Sequence, residues 1–173
     1  SLPGGNVDAV TNFIGSDSRV GKKYLKGGLG FGGPCFPRDN VAFIKQFGEF
    51  HLQKAVITYN KQIPNRVVEI AKEMVADIKM PKIVMLGLSY KSDTPITEES
   101  QSLKMLDLLN VINCTVDSYD PTIFRNLQST LKDADLAILA TPWKEFEHLD
   151  MSGMRHKRVL DCWRLLMNRE DCE

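Results

Sequence analysis

Lys82-Ile83-Val84-Met85-Leu86-Gly87-Leu88 is an unbroken apolar run closed around a glycine. A run without polar alternation suits a strand buried on both faces, as in a parallel sheet. Downstream, Ser102 to Leu109 places Leu103, Leu106 and Leu109 on one helical face. Cys114-Thr115-Val116-Asp117-Ser118-Tyr119-Asp120-Pro121 reads as a second strand, and Leu127 to Ala134 as another helix. Leu136-Ala137-Ile138-Leu139-Ala140 and Arg158-Val159-Leu160-Asp161 complete the set as a third and a fourth strand. Strands alternating with helices predict an α/β fold, a Rossmann-like parallel sheet over residues 81–173. Ligands of such sheets sit at the carboxyl ends of the strands. There Lys91 and Arg164 are cations available to a diphosphate, and Tyr90 is a platform for a base. The first strand-to-helix turn lacks the full G-x-G-x-x-G of a standard dinucleotide site.

Upstream of Pro81 the pattern is helical. Val7, Val10 and Ile14 share helical spacing, with Asn6 as a cap, and Gly15 and Gly21 bracket a turn. Asp39 to Phe47 reads as a short helix ended by Gly48. From His51 to Lys79 an apolar stripe runs through Val67, Ile70, Ala71, Met74, Val75 and Ile78. Pro64 is expected to end or kink this helix, or to open a second one. The stripe is either core or a dimer seam. The chain is therefore divided near Lys79, into a helical dimerisation module (1–80) and a sheet module (81–173).

Between the first two helices lies Gly27-Gly28-Leu29-Gly30-Phe31-Gly32-Gly33-Pro34-Cys35-Phe36-Pro37-Arg38-Asp39. Glycines let backbone amides approach a ligand closely. A cysteine held at such a loop is a candidate nucleophile, and Asp39 is near enough to share its site. Arg19, Lys22, Lys23 and Lys26 precede the loop; of the lysines, only Lys26 rises above a solvated face. Gly28-Leu29-Gly30-Phe31-Gly32-Gly33 fits the dinucleotide fingerprint but follows no strand-like run. Pro34 and Pro37 also argue against an opening helix, so a dinucleotide turn is rejected here.

Bulk properties narrow the partners. With 22 basic and 22 acidic residues the net charge is zero, which argues against nucleic acid or an anionic membrane as partner. No apolar run approaches membrane-spanning length, and no secretory leader is evident. Cys35, Cys114, Cys162 and Cys172 have neither zinc-ligand nor C-x-x-C spacing, so free thiols in a reducing cytoplasm are expected, with Cys114 buried and inert. His51, His148 and His156 are given no catalytic role, and Trp143 and Trp163 are read as packing residues. Ser1 fits a processed chain or a carboxy-terminal piece of a longer one.

Phe31-Gly32-Gly33-Pro34-Cys35-Phe36-Pro37-Arg38-Asp39 resembles the catalytic motif of the UDP-glucose/GDP-mannose 6-dehydrogenase family. Asp17-Ser18-Arg19-Val20-Gly21 and Gly87-Leu88-Ser89-Tyr90-Lys91-Ser92-Asp93-Thr94 resemble its flanking motifs in the same order. The resemblance implies oxidation of a nucleotide sugar twice at C6 with two NAD, UDP-glucose being the first choice. Cys35 would be the nucleophile, carrying a thiohemiacetal and then a thioester, and Asp39 would orient water. Arg19 would reach a neighbouring subunit's substrate. Tyr24, Lys26, Gly27, Gly28, Leu29, Gly30, Phe31 and Gly32 would cradle sugar and phosphate, with Tyr90, Lys91 and Arg164 at the nucleotide end. Cys35, Phe36, Arg38 and Glu98 would border the NAD.

The resemblance also shows departures. The family's amino-terminal NAD-binding domain lies outside this chain, so no complete turnover is expected from these residues alone. Glu98 stands where many members carry an arginine that contacts NAD. Arg38 replaces a common lysine, Pro34 a common serine, and the usual D-G-R-N reads Asp161-Cys162-Trp163-Arg164. Two other functions compete: a non-catalytic nucleotide-sugar-binding and dimerisation module, and a thiol-dependent phosphatase-like enzyme.

Overall fold

The structure is a computed structural model and describes residues 5–166 except 24, 49 and 123–125. The apolar run around Val84 forms β1 (Lys82–Leu86), at the centre of a four-stranded sheet with β2 (Thr115–Tyr119), β3 (Leu136–Leu139) and β4 (Arg158–Asp161). The order is β2-β1-β3-β4 and every pairing is parallel, with Ile83 opposite both Val116 and Leu136. The α/β reading of the sequence holds.

Alternate side chains of a strand point to opposite faces, and both faces here are covered. On one face Ile83, Met85, Leu136 and Ile138 pack against two helices. These are α3 (His51–Met74), through Val67, Val68 and Ala71, and α4 (Gln101–Leu109), through Met105 and Leu109. On the other face Val84, Leu86, Ala137 and Leu139 meet Leu131 of α5 (Leu127–Leu131), Phe146, Leu149 and Met154. Phe146 comes from a short 3-10 turn, Lys144–His148, that the sequence pattern does not announce. Each fully buried Leu, Ile or Phe contributes about 1.5–3 kcal/mol. The stripe on the carboxyl half of α3 is thus core: the helix that begins in the amino-terminal half of the chain also covers the sheet.

Two expectations are corrected. α3 runs unbroken through Pro64, which neither ends it nor opens a second helix. The proline has no N–H for the Asn60 carbonyl, but Val67, Val68 and Ala71 beyond it are buried on the sheet, and that packing offsets the lost bond. The second helix, α2, begins at Phe36 rather than Asp39 and ends at Phe47. Pro37 falls in its first turn, where a missing N–H leaves no bond unmade. Among the described residues no helix is long and apolar enough to cross a membrane.

Candidate functional site

The glycine loop lies against the carboxyl end of the sheet, and its sequence explains how closely. Gly33 has φ +82°, a conformation that suits glycine, and a Cβ there would stand 2.7 Å from the Tyr90 ring. Its N–H donates to the Glu98 carbonyl at 2.9 Å. Two positions earlier the Phe31 carbonyl accepts from Asn60 Nδ2 at 2.9 Å and from Gln101 Nε2 at 2.8 Å. The Lys91 ammonium sits 5.5 Å from the centre of the Tyr90 ring, so that ring packs between Lys91 and the loop.

Cys35 follows as the amino-terminal cap residue of α2 and is exposed. The loop therefore does run into a helix, contrary to the sequence expectation. Among the described residues no strand precedes it, however, and a dinucleotide turn needs both. Asp39 lies in the first turn of α2: its N–H donates to the Cys35 carbonyl at 2.8 Å. Its carboxylate accepts from Arg38 Nε at 3.0 Å, and this hydrogen bond raises the Arg38 pKa. Beside Cys35 a recess of about 410 Å³ is lined by Phe31, Gly33, Pro34, Arg38, Lys61, Glu98 and other side chains.

The turn after β1 is held as firmly. Gly87 has φ +91° and lies against Thr141. The Asp120 carboxylate accepts from the N–H groups of Leu88 (2.7 Å), Ser89 (3.1 Å) and Thr122 (2.9 Å). Burial acts to raise the Asp120 pKa, but the Thr122 hydroxyl and these amides outweigh it and hold the carboxyl below the usual range. Thr141 Oγ1 donates to the Ser89 carbonyl at 2.8 Å. Lys91 thus projects from a rigid corner.

Past β4, Arg164 (φ +57°) turns back to the loop, its Nε 2.7 Å from Asp8 Oδ2 and its Nη2 3.4 Å from the Gly27 carbonyl. The Trp163 indole fills the space where a side chain at Gly28 would stand, and its Nε1 donates to the Ala140 carbonyl at 3.0 Å. Lys26, Gly27, Arg164 and Asp8 share a recess of about 320 Å³. Asp8 was not singled out in the sequence, because nothing local marks a helix-surface carboxylate as the partner of an arginine 156 residues away.

The structure thus brings together Gly27 to Gly33, Cys35, Asp39, Arg38, Tyr90, Lys91, Glu98 and Arg164. Arg19 stands apart: it is 87% exposed and its guanidinium bonds to Asp17 (2.6 Å), which raises its pKa. Tyr24 lies outside the described residues. Burial raises the Cys114 thiol and pushes Cys162 up to about 12, which leaves the exposed Cys35 as the thiol open to chemistry among the described residues. Cys172 lies outside them. Among the described residues no group of three or more His, Cys, Asp or Glu is placed to hold a metal ion.

Comparison with known proteins agrees with this fold. The central domain of the UDP-glucose/GDP-mannose dehydrogenase family matches residues 2–66, and that family's UDP binding domain matches residues 84–168. The chain belongs to this family. A UDP-glucose 6-dehydrogenase of Rickettsia felis is 32% identical over 87% of the chain, and one of Haloferax volcanii is 32% identical over 93%. The chain spans 38% and 42% of those two proteins. Among solved structures, a UDP-glucose dehydrogenase from Pyrobaculum islandicum superposes with TM-score 0.81 at 30% identity, over 92% of this chain and 40% of that one. A UDP-D-ManNAc dehydrogenase from Pyrococcus horikoshii gives 0.86 at 26% identity, over 98% and 43%.

Proposed function

We propose that this chain is the portion of an NAD-dependent nucleotide-sugar 6-dehydrogenase that holds the nucleophile and the nucleotide-sugar site, acting on UDP-glucose to give UDP-glucuronate. The observation that carries the reading is Cys35: an exposed thiol at the start of α2, on a glycine loop fastened to the carboxyl end of a parallel sheet. Kinship with the family supports the substrate class.

In this reading Lys91 and Arg164 neutralise the diphosphate, and Gly27 to Gly32 pass close under phosphate and sugar. Cys35 Sγ adds to the C6 aldehyde to give a thiohemiacetal. The oxyanion formed in that step lies at the positive end of α2, where negative charge is favoured. Asp39, one helical turn on, orients the water that hydrolyses the thioester. The oxidations need NAD as hydride acceptor. The residues described here do not make a dinucleotide cradle: no strand precedes the glycines, and the Gly33 N–H is already given to Glu98. The cofactor is assigned to a part of the enzyme beyond this chain, and the isolated chain is expected to be inactive.

A homodimer in the cytoplasm completes the reading. Phe13, Phe36, Phe47, Leu52 and Tyr59 are exposed, and the Phe43 ring lies 5.0 Å from Phe47 and 5.1 Å from Phe50. So much apolar surface on α1 (Val7–Ile14), α2 and the start of α3 suits contact with a second copy.

Calorimetric titration of the chain with UDP-glucose, UDP-N-acetylglucosamine and GDP-mannose tests the site. Selective binding of UDP-glucose, weakened about tenfold or more by Lys91→Ala, is expected. No heat with any of the three, from a folded chain, would contradict the reading; selective binding of another sugar would overturn the choice of UDP-glucose.

A further inference from the structure

We propose that Asn60 and Gln101 act together as a two-amide clamp on the Phe31 carbonyl and are the positioning residues for Cys35. A carbonyl oxygen has two lone pairs, and this one uses both. Asn60 Nδ2 donates from the middle of α3 at 2.9 Å, and Gln101 Nε2 donates from the first residue of α4 at 2.8 Å. Both side chains lie inside the protein, at 8% and 5% exposure, where water does not compete for the bonds. Asn60 Oδ1 also lies against Gly30, so one amide touches the loop at two consecutive peptides.

The second amide is unusual. Gln101 Oε1 is buried and has no hydrogen-bond partner among the described residues. A buried acceptor without a donor costs about what a hydrogen bond gains. Gln101 therefore adds little net stability, and an apolar side chain of equal length would serve a core better. What the amide does supply is a fixed direction for the Phe31 carbonyl, four residues before the thiol.

The clamp also reaches the nucleotide side. Residues 90–101 hold Tyr90 against Gly33, give the Glu98 carbonyl to the Gly33 N–H, and end on Gln101.

The inference rests on Cys35 being the nucleophile, so its test uses a readout independent of activity. Amide hydrogen exchange, thermal midpoint and the rate of Cys35 alkylation against pH are measured on the 173-residue chain. The chain is compared with Gln101→Met, Asn60→Leu and the pair, with Gln101→Glu as a second variant that keeps the length of the side chain. In Gln101→Met the Gly33 amide is expected to exchange roughly fivefold to tenfold faster, as loss of one buried donor implies. Exchange at Val84 and Ile138 and the thermal midpoint stay unchanged, while Cys35 alkylates faster across the pH range. The pair exceeds the product of the single effects, because each donor strengthens when the other is lost. Unchanged Gly33 exchange in both Gln101 variants would overturn the clamp, as would a rise that Val84 and Ile138 share. If exchange responds yet Cys35→Ser in the longer enzyme still forms acid, the proposed function falls and the clamp stands.

Discussion

Gly33→Ala isolates the contact that joins the glycine loop to the sheet. The cost has two parts. An alanine must adopt φ near +82°, a left-handed conformation that costs about 1–2 kcal/mol. Its Cβ would also stand 2.7 Å from two atoms of the Tyr90 ring, and displacing that ring costs about another 1–2 kcal/mol. The sum is about 3 kcal/mol, a fall of roughly 6–12 °C in thermal midpoint for a chain of this size. Urea unfolding of the four members of a Gly33→Ala, Tyr90→Ala cycle separates the parts. With the ring removed, the glycine substitution is expected to cost only its backbone part, leaving about 1–2 kcal/mol of coupling. A cost below about 0.5 kcal/mol, or no coupling to Tyr90→Ala, would show that the Gly33–Tyr90 contact does not fix the loop.

Further outcomes concern pH and assembly. The Asp120 and Asp135 carboxyls are both held below their usual range; in each case burial opposes the shift and hydrogen bonds win. The unfolded chain therefore takes up protons first, and the stability these groups give is complete above about pH 4 and lost as acid passes through their folded values. On the alkaline side burial and Glu145 push Tyr119 up to about 12, and burial and Asp161 push Cys162 up to about 12. Their stabilisation is present below the unfolded values, roughly 8.5 for Cys and 10 for Tyr, and is lost as pH rises toward 12. Urea midpoints across pH 2–12 should fall at both ends, and a flat profile would contradict the assignment. Phe47→Glu, in the exposed aromatic cluster of α2, is expected to yield a monomer by sedimentation; a dimer of unchanged affinity would place the interface elsewhere.

The sheet was legible because parallel strands buried on both faces must be apolar without alternation, and β1 and β3 are. The helical stripe was legible too, although not what it covers: Val67 and Ala71 meet Ile83 and Ile138, partners that no periodicity reveals. Pro37 read as a breaker, yet a proline in the first turn starts a helix, so the position of Cys35 as the cap of α2 was missed. Pro64 read as a boundary because its local cost is certain, whereas the burial that offsets it is tertiary. The thiol, the glycine loop and Lys91 carry their chemistry in their residue types. Asn60 and Gln101 do not, since an amide in a helix announces nothing until its acceptor, 29 or 70 residues away, is brought to it.

Alkylation of the chain followed by peptide mass analysis shows whether Cys35 faces a nucleotide sugar. The exposed Cys35 is expected to react well before Cys114 and Cys162, and saturating UDP-glucose to slow Cys35 at least fivefold while leaving Cys114 unchanged. A Cys35 rate indifferent to UDP-glucose, UDP-N-acetylglucosamine and GDP-mannose alike would contradict that placement.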